Sequence, residues 1–299
     1  MDLFFLFQDA VYIGNLNPDH KECAIKAIEK GKAVLCEKPL TLSWEDSYQV
    51  VEASQKSQVL LTEALWSRFN PVYKRIRELI QGPDGLKPAS VMTNFTDQIF
   101  TDRIAKPQLG GGAMYDIGIY CLQIASMVFG SAPVRVAAAG SLNEFGVDSS
   151  ESVSLQYRNG GHASLLVDCR GGTPDACGAR IFFKPGGTYT SAKLGAPFWA
   201  PSELELTKPN GETVTESYPI FPNASKGDGL SFNFVNSQAL AYEAEAFADA
   251  FEKWQQSKVA LGESTVVIEH PLRTHQESLD DAKVIDEVMK QIRGQPVGV

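Results

Sequence analysis

Ala33-Val34-Leu35-Cys36-Glu37-Lys38-Pro39 is the stretch from which the fold of this chain can be read. Four apolar residues in a row, ended by a charged pair and a proline, read as a buried parallel strand whose C-terminal tip carries a lysine. In an open α/β sheet the strand tips line the ligand crevice, so a cation held there by the next-residue proline is placed for chemistry. Upstream, Asp9 to Gly14 reads as a short buried strand and residues 15–19 as the loop leaving its tip. His20 to about Lys30 follows as a helix with Cys23, Ala24, Ala27 and Ile28 on one face. Downstream, Ser43-Trp44-Glu45-Asp46 resembles a capping box opening a helix to about Ser57, and Val59 to Thr62 is a third apolar strand. Three βα units in succession imply parallel pairing through helical crossovers.

After Trp66 the pattern changes. Asn70-Pro71 is a cap and first-turn proline opening a helix to about Gln81. Strand-like segments then dominate: Val91 to Phe95, Val134 to Ala138, Val153 to Tyr157, Ala163 to Val167, Ala179 to Phe183 and Leu204 to Leu206, separated by glycine-rich turns. One helix, Gly112 to Phe129, interrupts them, and two more close the chain, about Gln238 to Ser257 and Thr274 to Ile292. The expectation is a parallel α/β piece, residues 1–66, joined to an α+β domain, residues 67–299, with a large, mostly antiparallel open sheet. The last helix is free to pack back on the first piece.

Composition narrows the function classes. The 299 residues carry 27 basic and 36 acidic side chains, a net charge of -9, which argues against a nucleic-acid or anionic-membrane partner. Five scattered cysteines, odd in number and without metal spacing, read as reduced thiols of a cytoplasmic protein. The apolar run Leu3 to Phe7 is too short, and too soon followed by Asp9, for a signal peptide or a membrane span. His162, His270 and His275 are scattered, and no metal site is expected.

A second constellation lies on the Gly112 helix. Asp116 and Tyr120 are four residues apart and project from one helix face, where a carboxylate and a phenol can share a hydrogen-bond network with a substrate hydroxyl. An ammonium beside a phenol favours the phenolate, which can accept a proton. Lys38 beside Tyr120 is the pairing expected. The alternative is that Lys38 only pairs with Glu37 or Asp116 for structure.

Three ordered motifs give the chain a likeness. Ala33 to Pro39, then Thr62-Glu63-Ala64-Leu65-Trp66-Ser67-Arg68-Phe69-Asn70-Pro71, then Gly111-Gly112-Ala113-Met114-Tyr115-Asp116-Ile117-Gly118-Ile119-Tyr120-Cys121 together resemble the glucose-fructose oxidoreductase and inositol dehydrogenase (Gfo/Idh/MocA) family. The likeness runs from about Asp9 to the C-terminus. It implies the C-terminal half of a Rossmann-type sheet for residues 1–66 and an oxidoreductase linked to NADP, with NAD not excluded. The implied donor is a trans-dihydrodiol or D-xylose, and the implied assembly a homodimer through the large sheet. Carried across residue by residue, Tyr120 matches the acid-base group, Lys38 the lysine shared by coenzyme and substrate, and Asp116 the carboxylate that adapts the substrate hydroxyl. Tyr12, Asn15, His20, Glu37, Lys38 and Pro39, at and around two strand tips, fall to coenzyme binding, and Trp66 to the substrate pocket.

The likeness is incomplete at one end. No G-x-G-x-x-G stands before Glu37, which 36 residues precede. In a doubly wound sheet of order 3-2-1-4-5-6 the Asp9, Ala33 and Val59 strands correspond to the fourth, fifth and sixth. The chain is thus expected to keep the half that holds nicotinamide and to lack the half that holds adenosine and pyrophosphate, about 60 residues. Losing three charge-assisted bonds at about 2 kcal/mol each weakens coenzyme binding about 10⁴-fold. An incomplete or shortened dehydrogenase is therefore set against a second class, a non-catalytic dimerising subunit. In either case the Val11 strand becomes a sheet edge, which the Leu3 to Phe7 run could partly cover.

Overall fold

The Ala33 strand forms where expected and sits in the middle of its sheet. β2 (Ala33–Glu37) pairs in parallel with β1 (Ala10–Ile13) on one side and β3 (Leu61–Ala64) on the other, in the order β1-β2-β3. Ile13 pairs with Cys36 and Cys36 with Glu63, so the strand tips end level and form one rim. The crossovers are α1 (His20–Glu29) and α2 (Trp44–Ser57). Only half of the expected capping box opens α2: Ser43 Oγ accepts from the Asp46 N–H at 3.2 Å, while the Asp46 carboxylate turns to Lys21 at 2.6 Å. β3 starts two residues later than the apolar run suggests. Gln58 ends α2 in the left-handed region at φ 52, and Val59 is tied back to Ser54 through both its N–H and its carbonyl.

The computed structural model describes residues 8–99, 101–173, 176–220, 234–259 and 266–294. Leu3 to Phe7, expected to shield the β1 edge, lies outside them.

The large sheet follows α3 (Pro71–Gln81), whose first turn is capped by the Asn70 side chain accepting from the Val72 N–H at 2.9 Å. Its strands are β4 (Pro88–Thr96), β5 (Arg135–Leu142), β6 (Asp148–Gln156), β7 (His162–Asp168), β8 (Gly178–Phe183), β9 (Ser191–Leu194), β10 (Glu203–Thr207) and β11 (Thr213–Ser217). They run in the order β11-β10-β9-β8-β4-β7-β6-β5, every pair antiparallel except β4 with β7. One face carries helices and the other, bearing Met92 and Leu166, is open.

Between β4 and β5 the chain makes the short α4 (Asp102–Ala105) and then a helix expected to be regular. It begins instead as a π turn, Met114–Gly118, and continues as α5 (Ile119–Phe129) to the left-handed Gly130 at φ 62. α5 is apolar on all sides because it is buried on all sides, against β4, β7 and α3. Two late helices tie the sheets together. α6 (Leu240–Val259) brings Ala250 and Trp254 into the core of the small sheet. α7 (His275–Arg293), opened by a full capping box of Thr274 and Glu277, packs on α2, α5 and β5.

Candidate active site

The rim of the small sheet meets the π turn, and a cavity of about 500 Å³ lies between them. From the rim come Gly14, Asn15, Leu16 and Asn17 after β1, and Glu37 with Lys38 after β2. From the other side come Asp116 and Tyr120, and Trp66 closes one end. The level strand tips place Lys38 opposite the π turn. Its Nζ donates to the Asp116 carbonyl at 2.5 Å and lies 3.3 Å from the Asp116 carboxylate.

Asp116 is held from two sides, since Arg103 on α4 also reaches its carboxylate at 2.8 Å. Burial works against ionising this carboxyl, but Lys38 and Arg103 outweigh it and keep it below the usual carboxylate range. Tyr120 departs from the expectation. The Lys38 ammonium sits over its ring, 5.0 Å from the centroid, while the phenol oxygen accepts the Trp66 indole N–H at 2.7 Å. Burial foremost, then the nearby carboxylates of Glu37, Asp116 and Glu243, push the Tyr120 phenol well above its ordinary value against the opposing Trp66 bond. The expectation that Lys38 stabilises a phenolate differs from this geometry: Lys38 directs its hydrogen bonds to Asp116, and burial foremost raises the Tyr120 phenol.

The rim residues divide into those that line the cavity and those that hold the rim. Asn15, Glu37 and Lys38 line it, whereas Tyr12, His20 and Pro39 do not. Tyr12 donates its hydroxyl to Glu37 Oε1 at 2.5 Å. His20 is fully buried, with Nδ1 2.9 Å from the Pro39 carbonyl and Nε2 3.1 Å from the Asn15 carbonyl. The ring lies between the two carbonyls and so joins the two rim loops. Leu40 N–H goes to Glu63 Oε1 at 2.9 Å, and Glu63 Oε2 receives the fully buried Arg273 at 2.6 Å. Position 38 is therefore anchored through residues far away in sequence.

Several lining residues escaped the sequence reading. Phe95 and Trp199 stack at 4.2 Å with 2° between their planes and, with Trp66, form an aromatic wall. They lie 104 positions apart, so no local spacing could pair them. Behind the lining, Glu243 on α6 is buried with no hydrogen-bond partner for Oε2 among the described residues, and burial, followed by Glu37 and Glu63, raises its carboxyl well above the usual range. For a dinucleotide the donor set fits at one end only. Asn15, Glu37, Lys38 and the aromatic wall suit a nicotinamide riboside, while no G-x-G-x-x-G turn for a diphosphate occurs among the described residues. Among those residues no group of three or more His, Cys, Asp or Glu is placed to hold a metal.

A parallel sheet whose strand tips carry a lysine, facing a phenol and a carboxylate, defines an oxidoreductase of the Rossmann type. The chain belongs to the Gfo/Idh/MocA oxidoreductase family: residues 7–65 match its NAD-binding Rossmann fold and residues 73–186 its C-terminal domain. It is similar to trans-1,2-dihydrobenzene-1,2-diol dehydrogenase of Mus musculus, 34% identical over 266 residues, covering 87% of this chain and 74% of that protein. The Xenopus tropicalis enzyme of the same name is 32% identical over 286 residues, covering 95% and 78%. By this resemblance the chain is a dehydrogenase. Among solved structures, the aldose-aldose oxidoreductase of Caulobacter crescentus superposes with a TM-score of 0.73 at 22% identity, over 95% of this chain and 77% of that one. An inositol dehydrogenase homolog of Azotobacter vinelandii gives 0.74 at 14%, over 95% and 76%, and both share the fold.

Proposed function

We propose that this protein is an NADP-linked dehydrogenase, acting on one secondary alcohol of a small cyclic diol or a pentose. The observation that carries the reading is the convergence of Lys38, Asp116 and Tyr120 in one cavity that runs from the sheet rim to an aromatic wall. Asn15, Glu37 and Lys38 would hold the nicotinamide riboside, with His20, Tyr12 and Pro39 fixing the rim from behind. A nicotinamide held there would supply the hydride acceptor or donor. Tyr120 Oη carries the proton that the alcohol oxygen gains or loses, and Asp116, locked by Lys38 and Arg103, orients a neighbouring hydroxyl. Trp66, Phe95 and Trp199 exclude water and cover the ring. The named relatives support the diol, and the stacked aromatic wall suits either ring.

A second reading is a non-catalytic dimerising subunit. Under either reading we propose a cytoplasmic homodimer associating through the open face of the large sheet. Titration of the chain with NADPH, followed by coenzyme fluorescence, separates them. Saturable binding at micromolar levels together with coenzyme-dependent oxidation of a dihydrodiol or D-xylose supports the dehydrogenase. Absence of binding at millimolar NADPH and NADH overturns it in favour of the subunit.

A further inference from the structure

The carboxylate of Asp148 meets the first turn of the catalytic helix from outside it. Asp148 is the first residue of β6, distant in sequence from the motif, and it is buried. Its Oδ2 accepts the Met114 N–H at 2.7 Å, at the start of the π turn. That turn has no side-chain cap of its own, so an acceptor from another element takes the role that a local Ser or Asp usually fills. Gly112 sits at φ +144, and a Cβ there would lie 2.5 Å from Asp148 Oδ1, so the two positions are fitted to each other.

The turn that presents Asp148 is itself braced. Asn143 Oδ1 accepts from the Phe145 and Val147 N–H groups at 2.9 Å each, closing the β5–β6 connection. Asn143 Nδ2 donates to the Ala105 carbonyl at 2.9 Å, the last residue of α4. α4 carries Arg103, which reaches Asp116. One braced turn therefore holds both the backbone before Asp116 and the helix whose arginine steadies the Asp116 carboxylate.

We propose that Asp148 is a positioning residue of this dehydrogenase, setting Asp116 and Tyr120 through the Met114 amide. The inference rests on the catalytic reading above. Without the acceptor the π turn can rewind, and Asp116 and Tyr120 then rotate away from Lys38 and Trp66 together. A displacement of about 1 Å at a reacting group lowers turnover by about 100-fold.

The test uses the full chain with Asp148→Ala and Asp148→Asn, both measured at a temperature where each remains folded. The first readout is Trp66 emission, isolated by subtracting the Trp66→Phe spectrum, because Trp66 reports its bond to Tyr120 whether or not the protein turns over. The second is the split between kcat and KM with the alcohol substrate. Expected for Asp148→Ala are a shifted Trp66 emission and a kcat about 100-fold lower with KM changed far less. Asp148→Asn, whose amide oxygen still accepts the Met114 N–H, restores the emission and most of kcat. If Asp148→Ala does not fold, Asn143→Ala, which loosens the same turn without touching the buried carboxyl, gives the same shift. Wild-type emission in a folded Asp148→Ala, or in Asn143→Ala when that variant replaces it, overturns the positioning role. Wild-type protein lacking turnover while Asp148→Ala still shifts Trp66 sinks the catalytic reading alone.

Discussion

The indole N–H of Trp66 donates to the phenol oxygen of Tyr120 over 2.7 Å, joining the aromatic wall to the proton-carrying group. Tyr120 reaches the cavity on α5 and Trp66 on the turn after β3, so this bond joins the turn leaving the small sheet to the helix packed on the large one. It fixes the direction of the phenol lone pairs and opposes the burial that raises the phenol's proton affinity.

Tyr120→Phe keeps the ring in its packing against Phe95, 6.0 Å between centroids, and removes only the oxygen. Turnover is expected to fall by about 10²- to 10⁴-fold, the range for loss of a general acid or base, with NADPH affinity unchanged. Steady-state kinetics beside a coenzyme titration measures both, and unaltered kcat removes Tyr120 from the chemistry.

The raised Tyr120 phenol predicts a directional pH response. Alcohol oxidation needs the phenolate, whose share grows about tenfold per pH unit below the raised value, so its rate should climb through neutrality and beyond pH 10 without levelling. Carbonyl reduction needs the phenol and should stay flat over the same range. Initial rates in both directions from pH 6 to pH 10 check this; a plateau in oxidation near pH 7 would mean that another group takes the proton.

Glu277 predicts an acid-sensitive component of stability. Burial disfavours its ionised form, but Arg68, Arg273 and Arg77 with the Thr274 N–H hold it down to about 2. A carboxyl lowered in the folded state stabilises above its unfolded value of about 4.3, and that contribution fades as pH falls toward the folded value. Glu277→Gln leaves the fully buried Arg68 without its ion-pair partner and should cost about 3 kcal/mol at pH 7. In urea melts the gap between wild type and variant should shrink from about pH 5 downward. A gap constant to pH 2.5 contradicts the assignment.

The proposed homodimer predicts a charge-sensitive face. Met92 is 56% and Leu166 46% exposed on the open side of the large sheet, above a concavity of about 810 Å³ lined by both. Leu166→Glu sets two like charges on facing copies and should yield monomers by light scattering, with thermal stability of the monomer little altered. An undiminished mass moves the interface elsewhere.

How far the site could be read in advance depended on the distance over which each residue finds its partners. β2 and the position of Lys38 were legible because an uninterrupted apolar run ended by a charge describes a strand buried on both faces. The strands β9 and β11 were not, since Ser191-Ala192-Lys193-Leu194 and Thr213 to Ser217 carry too few apolar residues to alternate. Spacing placed Asp116 and Tyr120 on one face, yet it did not reveal the π turn, which needs the Met114 amide to find Asp148. Phe95 lies on β4, Arg103 on α4 and Trp199 in the turn after β9, and nothing local relates them to Lys38.

Local periodicity and turn chemistry alone determined the parallel sheet, the lysine at its rim and the helix with its acid and phenol, because those features depend on neighbours a few positions away. Tertiary structure decided what the charges do. It turned Lys38 from the phenol to Asp116, gave the phenol an indole donor, and braced the rim through His20, Glu63 and Arg273. Hydrogen bonds and Coulomb forces act across a few ångströms of space, and only the folded chain sets which groups stand that close.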